Sequence, residues 1–137
     1  MFKKGTLRIL DANFNRSKEG LRVIEDIFRF VLEDDALRKK IRKVRHSLDG
    51  ISKKKIFREA ILDRNSKKDL GSKVDVLEIK RKNASDILYI NFQRVKESLR
   101  VMEEFFKIIS SREIRYLKKL RYDIYSLEKE SFSKYLP

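Results

Sequence analysis

A chain of 137 residues is long enough to bury one core without a covalent staple, and the absence of cysteine removes disulfides, thiol catalysis and cysteine-ligated zinc from consideration. Lysine and arginine number 35 against 21 aspartates and glutamates, a net charge of +14 with a pI near 10.0, so an anionic partner is expected: nucleic acid, a membrane surface or a phosphorylated small molecule. No apolar run approaches the roughly 20 residues that cross a bilayer, and Met1 to Leu10 lacks the continuous apolar stretch of a secretory signal, which together predict a cytoplasmic protein with no membrane partner.

From Leu10, steps of four and three residues pick out Phe14, Ser17, Leu21, Ile24, Phe28 and Val31, an apolar stripe broken only at Ser17. That spacing predicts a first long helix facing a partner. The acidic run Glu33-Asp34-Asp35 then offers an N-cap for a second helix, whose stripe is Leu37, Ile41, Val44, Leu48 and Ile51. Periodicity fails between about 53 and 82: turn residues dominate, with short apolar runs at Ile56 to Leu62 and Val74 to Ile79. A connecting loop with one helical turn or a short strand is expected there, and loops this long in small domains usually carry function or are disordered.

Asn83 with Asp86 three residues on resembles a capping box. A third helix follows on Leu88, Phe92, Val95, Leu99, Met102, Phe106 and Ile109, and a fourth, capped by Ser110 or Ser111, on Ile114, Leu117, Leu120, Ile124 and Leu127, with a frayed aromatic end at Phe132 and Tyr135. The only proline is Pro137, so nothing interrupts these helices.

The third helix is the first again. Asn13 to Asp26, N-F-N-R-S-K-E-G-L-R-V-I-E-D, aligns with Asn91 to Glu104, N-F-Q-R-V-K-E-S-L-R-V-M-E-E, at a constant shift of 78, with nine of fourteen positions identical. Repetition at one fixed offset means a duplicated helical unit. The expected fold is therefore all-α: a four-helix bundle of two duplicated hairpins about a pseudo-twofold axis, in a single domain with repeat 1 at about 7–52, a connecting segment at 53–82 and repeat 2 at 83–135.

Beside the core stripe run two matched rows, Asn13, Arg16, Gly20, Val23, Ile27 and Asn91, Arg94, Ser98, Val101, Phe105. An arginine on a row that later enters the core is expected to be partly buried and so to need anions or acceptors. Glu19 and Glu97, three residues on, could supply them as intrahelical ion pairs, which for any one residue is as good a reading as a functional one. Arg45 and Arg121 flank the stripes of the second and fourth helices in the matched pairs Arg45-His46 and Arg121-Tyr122, so four arginines are aimed near the interior. Lys18, Arg22, Glu25 and Arg29 fall on the outer face, where solvated salt bridges are expected, leaving Glu25 and Glu103 as minor candidates. His46, the sole histidine, projects away from the stripe and is expected at the surface.

L-D-A-N-F-N-R-S-K-E-G-L-R-V-I-E-D with R-H at 45 and 46, R-N-S-K-K-D-L-G-S at 64 to 72, and N-F-Q-R-V-K-E-S-L-R-V-M-E-E with L-R-Y at 120 to 122 together resemble the small hydroxymethylpyrimidine-phosphate kinase family of thiamin biosynthesis, whose members occur alone or fused to thiamin-phosphate synthase. The resemblance covers about Leu10 to Glu128, three motifs in order; Asn65 departs from it, standing where the family pattern has an aspartate. It implies transfer of the ATP γ-phosphoryl group, with Mg²⁺, to a small phosphorylated pyrimidine, and a functional association with thiamin-phosphate synthase. Arg16, Arg94, Glu19 and Glu97 are then the expected catalytic set. Asn13, Asn91, Arg45, Arg121, Arg64, Asp69 and Gly71 are the expected substrate and phosphate contacts, and Glu19, Glu97 and Asp69 the expected Mg²⁺ ligands. Two other readings stand beside it: a basic helical module that binds nucleic acid, for which the Asn-Arg-Glu rows have no use, and a non-catalytic partner domain of thiamin-phosphate synthase. Self-association is left open.

Overall fold

The computed structural model describes residues 2–52, 54–74 and 81–135 and is helical throughout, without strands among them. Helix α1 (Phe2–Asp26) runs into a π-helical turn (Ile27–Val31), followed by α2 (Asp35–Ser52), α3 (Lys55–Leu62), a 3₁₀ turn (Ser66–Lys68), α4 (Ala84–Phe106) and α5 (Arg112–Tyr135). The all-α bundle expected from the periodicity is what forms. Leu10, Leu21 and Ile24 of α1, Phe28 of the π turn, all five stripe residues of α2, Leu88 to Phe106 of the α4 stripe and Leu117 to Leu127 of the α5 stripe are buried. No helix among the described residues is long and apolar enough to cross a membrane.

Four details depart from expectation. Helix α1 starts at Phe2, upstream of Leu10, because Thr6 and Leu7 also reach the core. Val31 ends the expected stripe but is 58% exposed: in the π turn Leu32 N–H donates to the Ile27 carbonyl at 2.9 Å, and the extra residue per turn rotates the stripe off the core. The connecting segment, expected to hold one helical turn or a short strand, carries the longer helix α3, which sets Phe57 into the core with its ring 5.0 Å from Phe14 and 5.9 Å from Phe106. The run from Val74 to Ile79 lies, beyond the exposed Val74, outside the described residues. Finally, the end of α5 is anchored rather than frayed: Phe132 meets Tyr89 and Phe92 edge-on at 5.9 and 6.3 Å.

Asp34 is what ties that end down. The chain reverses through Glu33, at φ 51, and Asp34 Oδ1 accepts from Leu37 N–H at 3.0 Å, the expected cap of α2. Its other oxygen accepts from Lys134 Nζ and Tyr135 Oη, both at 2.6 Å. The Leu37 amide first, then Lys134 and Tyr135, hold this carboxyl well below the usual carboxylate range. A carboxylate with a depressed folded pKa adds stability that is present above about pH 4 and lost as pH falls through the folded value. Asp34→Ala is therefore expected to cost about 1–3 kcal/mol at neutral pH and to flatten the acid limb of stability below about pH 4; chemical denaturation across pH measures both.

The duplication is visible in the packing of α1 on α4. Ser17 Oγ and Ser98 Oγ share a buried hydrogen bond of 2.6 Å, and a methyl group placed on Gly20 would stand 2.7 Å from Val95 Cγ2. Adding 78 to one member and subtracting it from the other turns the pair Gly20 and Val95 into Ser98 and Ser17, so the two contacts are equivalent and the helices cross antiparallel on the pseudo-twofold axis. The close approach is why Gly20 stays glycine. Gly20→Ala gains about 1 kcal/mol of helix propensity but must displace a stiff, buried valine at a cost of about 1–3 kcal/mol. The expected result is a lower midpoint of thermal unfolding, whereas Gly50→Ala, with nothing within 4 Å of the new methyl, raises it.

Candidate anion-binding site

On one side of this crossing, α1 supplies Asn13 and Arg16, α4 supplies Arg94, Glu97, Ser98 and Val101, and the loop after the 3₁₀ turn supplies Gly71, around a cleft of about 610 Å³. Asn13 and Asn91 are buried and behave alike. Asn13 Nδ2 donates to the Ile9 carbonyl at 2.9 Å, and Asn91 Nδ2 to the Ile87 carbonyl at 2.8 Å. Each spends its donor on the helix one turn back, and their amide oxygens then diverge. Asn13 Oδ1 accepts from Arg16 Nη1 at 3.4 Å, while Asn91 Oδ1 faces Gly20 rather than the cleft.

Arg16 and Arg94 are exposed, not partly buried as their row suggested. Asn13, Ser17 and Gly20 take the face against α4, which leaves Arg16, one position off that line, at the rim. Among the described residues neither arginine lies within ion-pair distance of a carboxylate, and neither Arg16 with Glu19 nor Arg94 with Glu97 forms the intrahelical pair that sequence spacing allows. Glu19 is exposed and exerts its pull on Arg64. Glu97 shares the cleft with both arginines.

Arg45 and Arg121 turn inward, to partners placed by sequence on the outer face. Glu25 and Glu103 are each 4% exposed, because α2 and α5 pack over that flank. Arg45 Nε donates to Glu25 Oε2 at 3.0 Å, and Arg121 donates to both oxygens of Glu103, Nε to Oε2 at 2.5 Å and Nη2 to Oε1 at 3.2 Å. Burial alone would push the Glu25 carboxyl up; hydrogen bonds from Arg45 and Arg22 outweigh it and hold it below its usual value. Hydrogen bonding to Glu103 pushes the Arg121 guanidinium further up. These duplicated buried pairs belong to the helix seams. The signal for them lay in the repeat itself, since Glu25 and Glu103 are among its identical positions.

Asp11 escaped the sequence reading. It is 5% exposed, and both its oxygens accept from Arg64, from Nε and Nη2 at 2.6 Å each, a bidentate clamp that docks the connecting segment on α1. Its equivalent at the 78-residue offset is Tyr89, so a search for repeated residues passes it over. The loop is then shaped locally, with Asn65 Oδ1 accepting from Lys68 N–H at 3.2 Å and Asp69 Oδ1 from Gly71 N–H at 2.8 Å. A second cleft of about 600 Å³ beneath it is lined by Arg8, Arg64, Lys68 and Asp69 and shares Asn13 and Arg16 with the first. A third, about 580 Å³, between α4 and α5, carries Lys96, Arg100, Arg121 and Tyr125 and shares Glu97 and Val101 with the first.

Among the described residues no three His, Cys, Asp or Glu side chains gather closely enough to hold a metal ion, so Glu19, Glu97 and Asp69 do not form one set. Glu97 and Asp69 stand in adjoining clefts, a disposition that suits Mg²⁺ only in the form that takes one or two carboxylates and completes its shell with phosphates and water. His46 is exposed, as expected, as is its counterpart Tyr122.

Fold and site together define an internally duplicated helical bundle with a cationic cleft at its pseudo-twofold crossing. The chain belongs to the ThiD2 family, whose profile matches residues 8–130. It is 39% identical over 124 residues to thiamine-phosphate synthase of Prochlorococcus marinus subsp. pastoris, covering 90% of this chain and 34% of that one. Identity is likewise 39% over 122 residues with thiamine-phosphate synthase of Thermosynechococcus vestitus, covering 88% and 34%, and 33% over 125 residues with that of Rhodopirellula baltica, covering 90% and 33%. The chain thus spans about a third of the length of these curated relatives. No solved structure matches it.

Proposed function

We propose that the protein acts in thiamin biosynthesis as a hydroxymethylpyrimidine-phosphate kinase, an ATP-dependent phosphotransferase of the cytoplasm. The observation that carries this reading is that Arg16 and Arg94, equivalent residues of the two repeats, line one cleft and neither forms an ion pair with a carboxylate among the described residues. Two guanidiniums on one cleft suit two polyanions brought together, one from each half. Phosphoryl transfer asks a protein for positioning and charge stabilisation rather than covalent chemistry. An oxygen of the acceptor monophosphate attacks the γ-phosphorus, the bond to the β-phosphate oxygen breaks, and ADP leaves with that electron pair. The acceptor phosphate is largely ionised near neutral pH, so no general base is required and the lack of a histidine in the cleft is no obstacle.

In this scheme Arg16 and Arg94 together hold the phosphates of donor and acceptor, Asn13 Oδ1 orients Arg16, and Arg64 and Gly71 bring the loop to the cleft edge. Glu97 and Asp69 would hold Mg²⁺, which together with phosphate would offset charge on the transferring group. Arg45 and Arg121 act at one remove, fixed by Glu25 and Glu103. Incubation of the folded protein with Mg-ATP and the pyrimidine monophosphate, followed by ³¹P NMR, is expected to show ADP and the pyrimidine diphosphate; no product overturns the assignment. The extent of the match to thiamine-phosphate synthases favours a second reading, a partner domain without turnover, and co-purification with such a synthase in the absence of ADP formation would support it.

A further inference from the structure

The two repeats are not equivalent at their flanks. In repeat 2 the cleft between α4 and α5 is lined by Lys96, Glu97, Arg100, Arg121 and Tyr125. The corresponding residues of repeat 1, at offsets of 78 along the first helix of each hairpin and 76 along the second, are Lys18, Glu19, Arg22, Arg45 and Asp49. Four of these five pairs are identical, Gln93 of the same cleft answers to Asn15, and at the fifth an aromatic ring replaces a carboxylate. In repeat 1, Asp49 holds the ammonium of Lys18. In repeat 2, Lys96 is drawn instead to Glu128 at 2.7 Å, and Tyr125 occupies the released position.

That ring is fixed and part-exposed. Tyr125 Oη accepts from Arg121 Nη1 at 2.9 Å, Tyr122 meets the ring edge-on at 5.4 Å, and Lys96 Nζ lies 5.4 Å from its centroid. Even so, 41% of the residue remains exposed, beside a cleft of about 580 Å³. A pinned aromatic face among cations is the arrangement on which nucleobases stack, through contacts that any base can make. The cleft continues into the one holding Arg16 and Arg94 across Glu97 and Val101, so the phosphates of a nucleotide with its base on Tyr125 have a path past those two residues to Arg94.

We infer that the second repeat seats the nucleoside of ATP, its base against Tyr125, and that the cleft beneath the docked loop of the first repeat is left to the phosphorylated acceptor. The inference rests on the phosphotransferase reading for the identity of the nucleotide, and its test separates the two. Calorimetric titration with ADP and with inorganic diphosphate is expected to show tighter binding of ADP. Tyr125→Ala should weaken ADP about tenfold, the loss of roughly 1.4 kcal/mol of stacking, and leave diphosphate within about twofold. Tyr125→Phe, which keeps the ring and lets go of Arg121, should restore ADP binding and so exclude a merely structural effect. In turnover, Tyr125→Ala should raise KM for ATP and not for the acceptor. Equal affinity of the wild type for ADP and diphosphate, undiminished ADP binding by a folded Tyr125→Ala protein, or a rise in KM for the acceptor alone overturns the assignment. Tyr125-dependent ADP binding without phosphoryl transfer upholds the nucleotide seat and removes the kinase.

Discussion

Arg94→Ala is expected to lower kcat/KM for phosphoryl transfer by about 10²–10³-fold, the cost of removing one preorganised charge from developing negative charge, while changing folding stability by less than about 0.5 kcal/mol. The second half of that statement follows from the exposure of Arg94 and the absence of any carboxylate within ion-pair distance among the described residues. A residue whose loss abolishes activity without touching stability is one that the fold does not need. Arg16→Ala should behave alike, apart from its single long hydrogen bond to Asn13. Because the two arginines face one cleft, the double variant should lose less than the product of the single losses. Steady-state kinetics paired with thermal unfolding of all three proteins provides the check, and an active Arg94→Ala enzyme would remove that residue from the site.

For Glu103→Ala the expectation is reversed: a loss of about 3–5 kcal/mol of stability, from leaving a buried guanidinium without its anion, and a fall in the unfolding midpoint on the order of 10–20 °C. Arg121 is 7% exposed and Glu103 4%, so water offers little compensation. Replacing both, Glu103→Leu with Arg121→Met, should recover most of the loss, because buried ion pairs contribute little beyond well-packed apolar groups of similar volume. Glu25→Ala should cost less than Glu103→Ala, since Arg45 is more accessible, with 16% of its side chain exposed against 8% for Arg121. Its contribution is present above the ordinary glutamate pKa of about 4.3 and lost as pH falls through the depressed folded value.

The contrast between these residues shows what periodicity can reveal. Leu21, Ile24, Leu99 and Met102 are buried because a 3.6-residue repeat of apolar side chains has one face, and that face can be read directly. Which flank of the stripe a second helix covers is settled only when the hairpin closes, so Glu25 was placed outside and Arg16 inside, the reverse of what packing does. Helix α3 was hidden for a related reason: its eight residues give barely two turns, and only the cage of Phe14 and Phe106 makes Phe57 a core residue. The π turn leaves no signature in composition. In the site, Arg16, Arg94, Asn13 and Glu97 were legible because they recur, whereas Asp11, which anchors the loop through Arg64, was not, because it occurs in one copy only.

The crossing of α1 and α4 has the self-complementary form of a twofold dimer interface, in which residue i meets j and j meets i, but here both halves are encoded in one chain. A true dimer of identical hairpins carries every substitution twice and must offer the same surface to both of its ligands. Covalent linkage lifts that constraint. Gly20 and Ser98, Asp49 and Tyr125, Asp11 and Tyr89 are free to differ, so the carboxylate that receives Arg64 in one half has a ring in its place in the other.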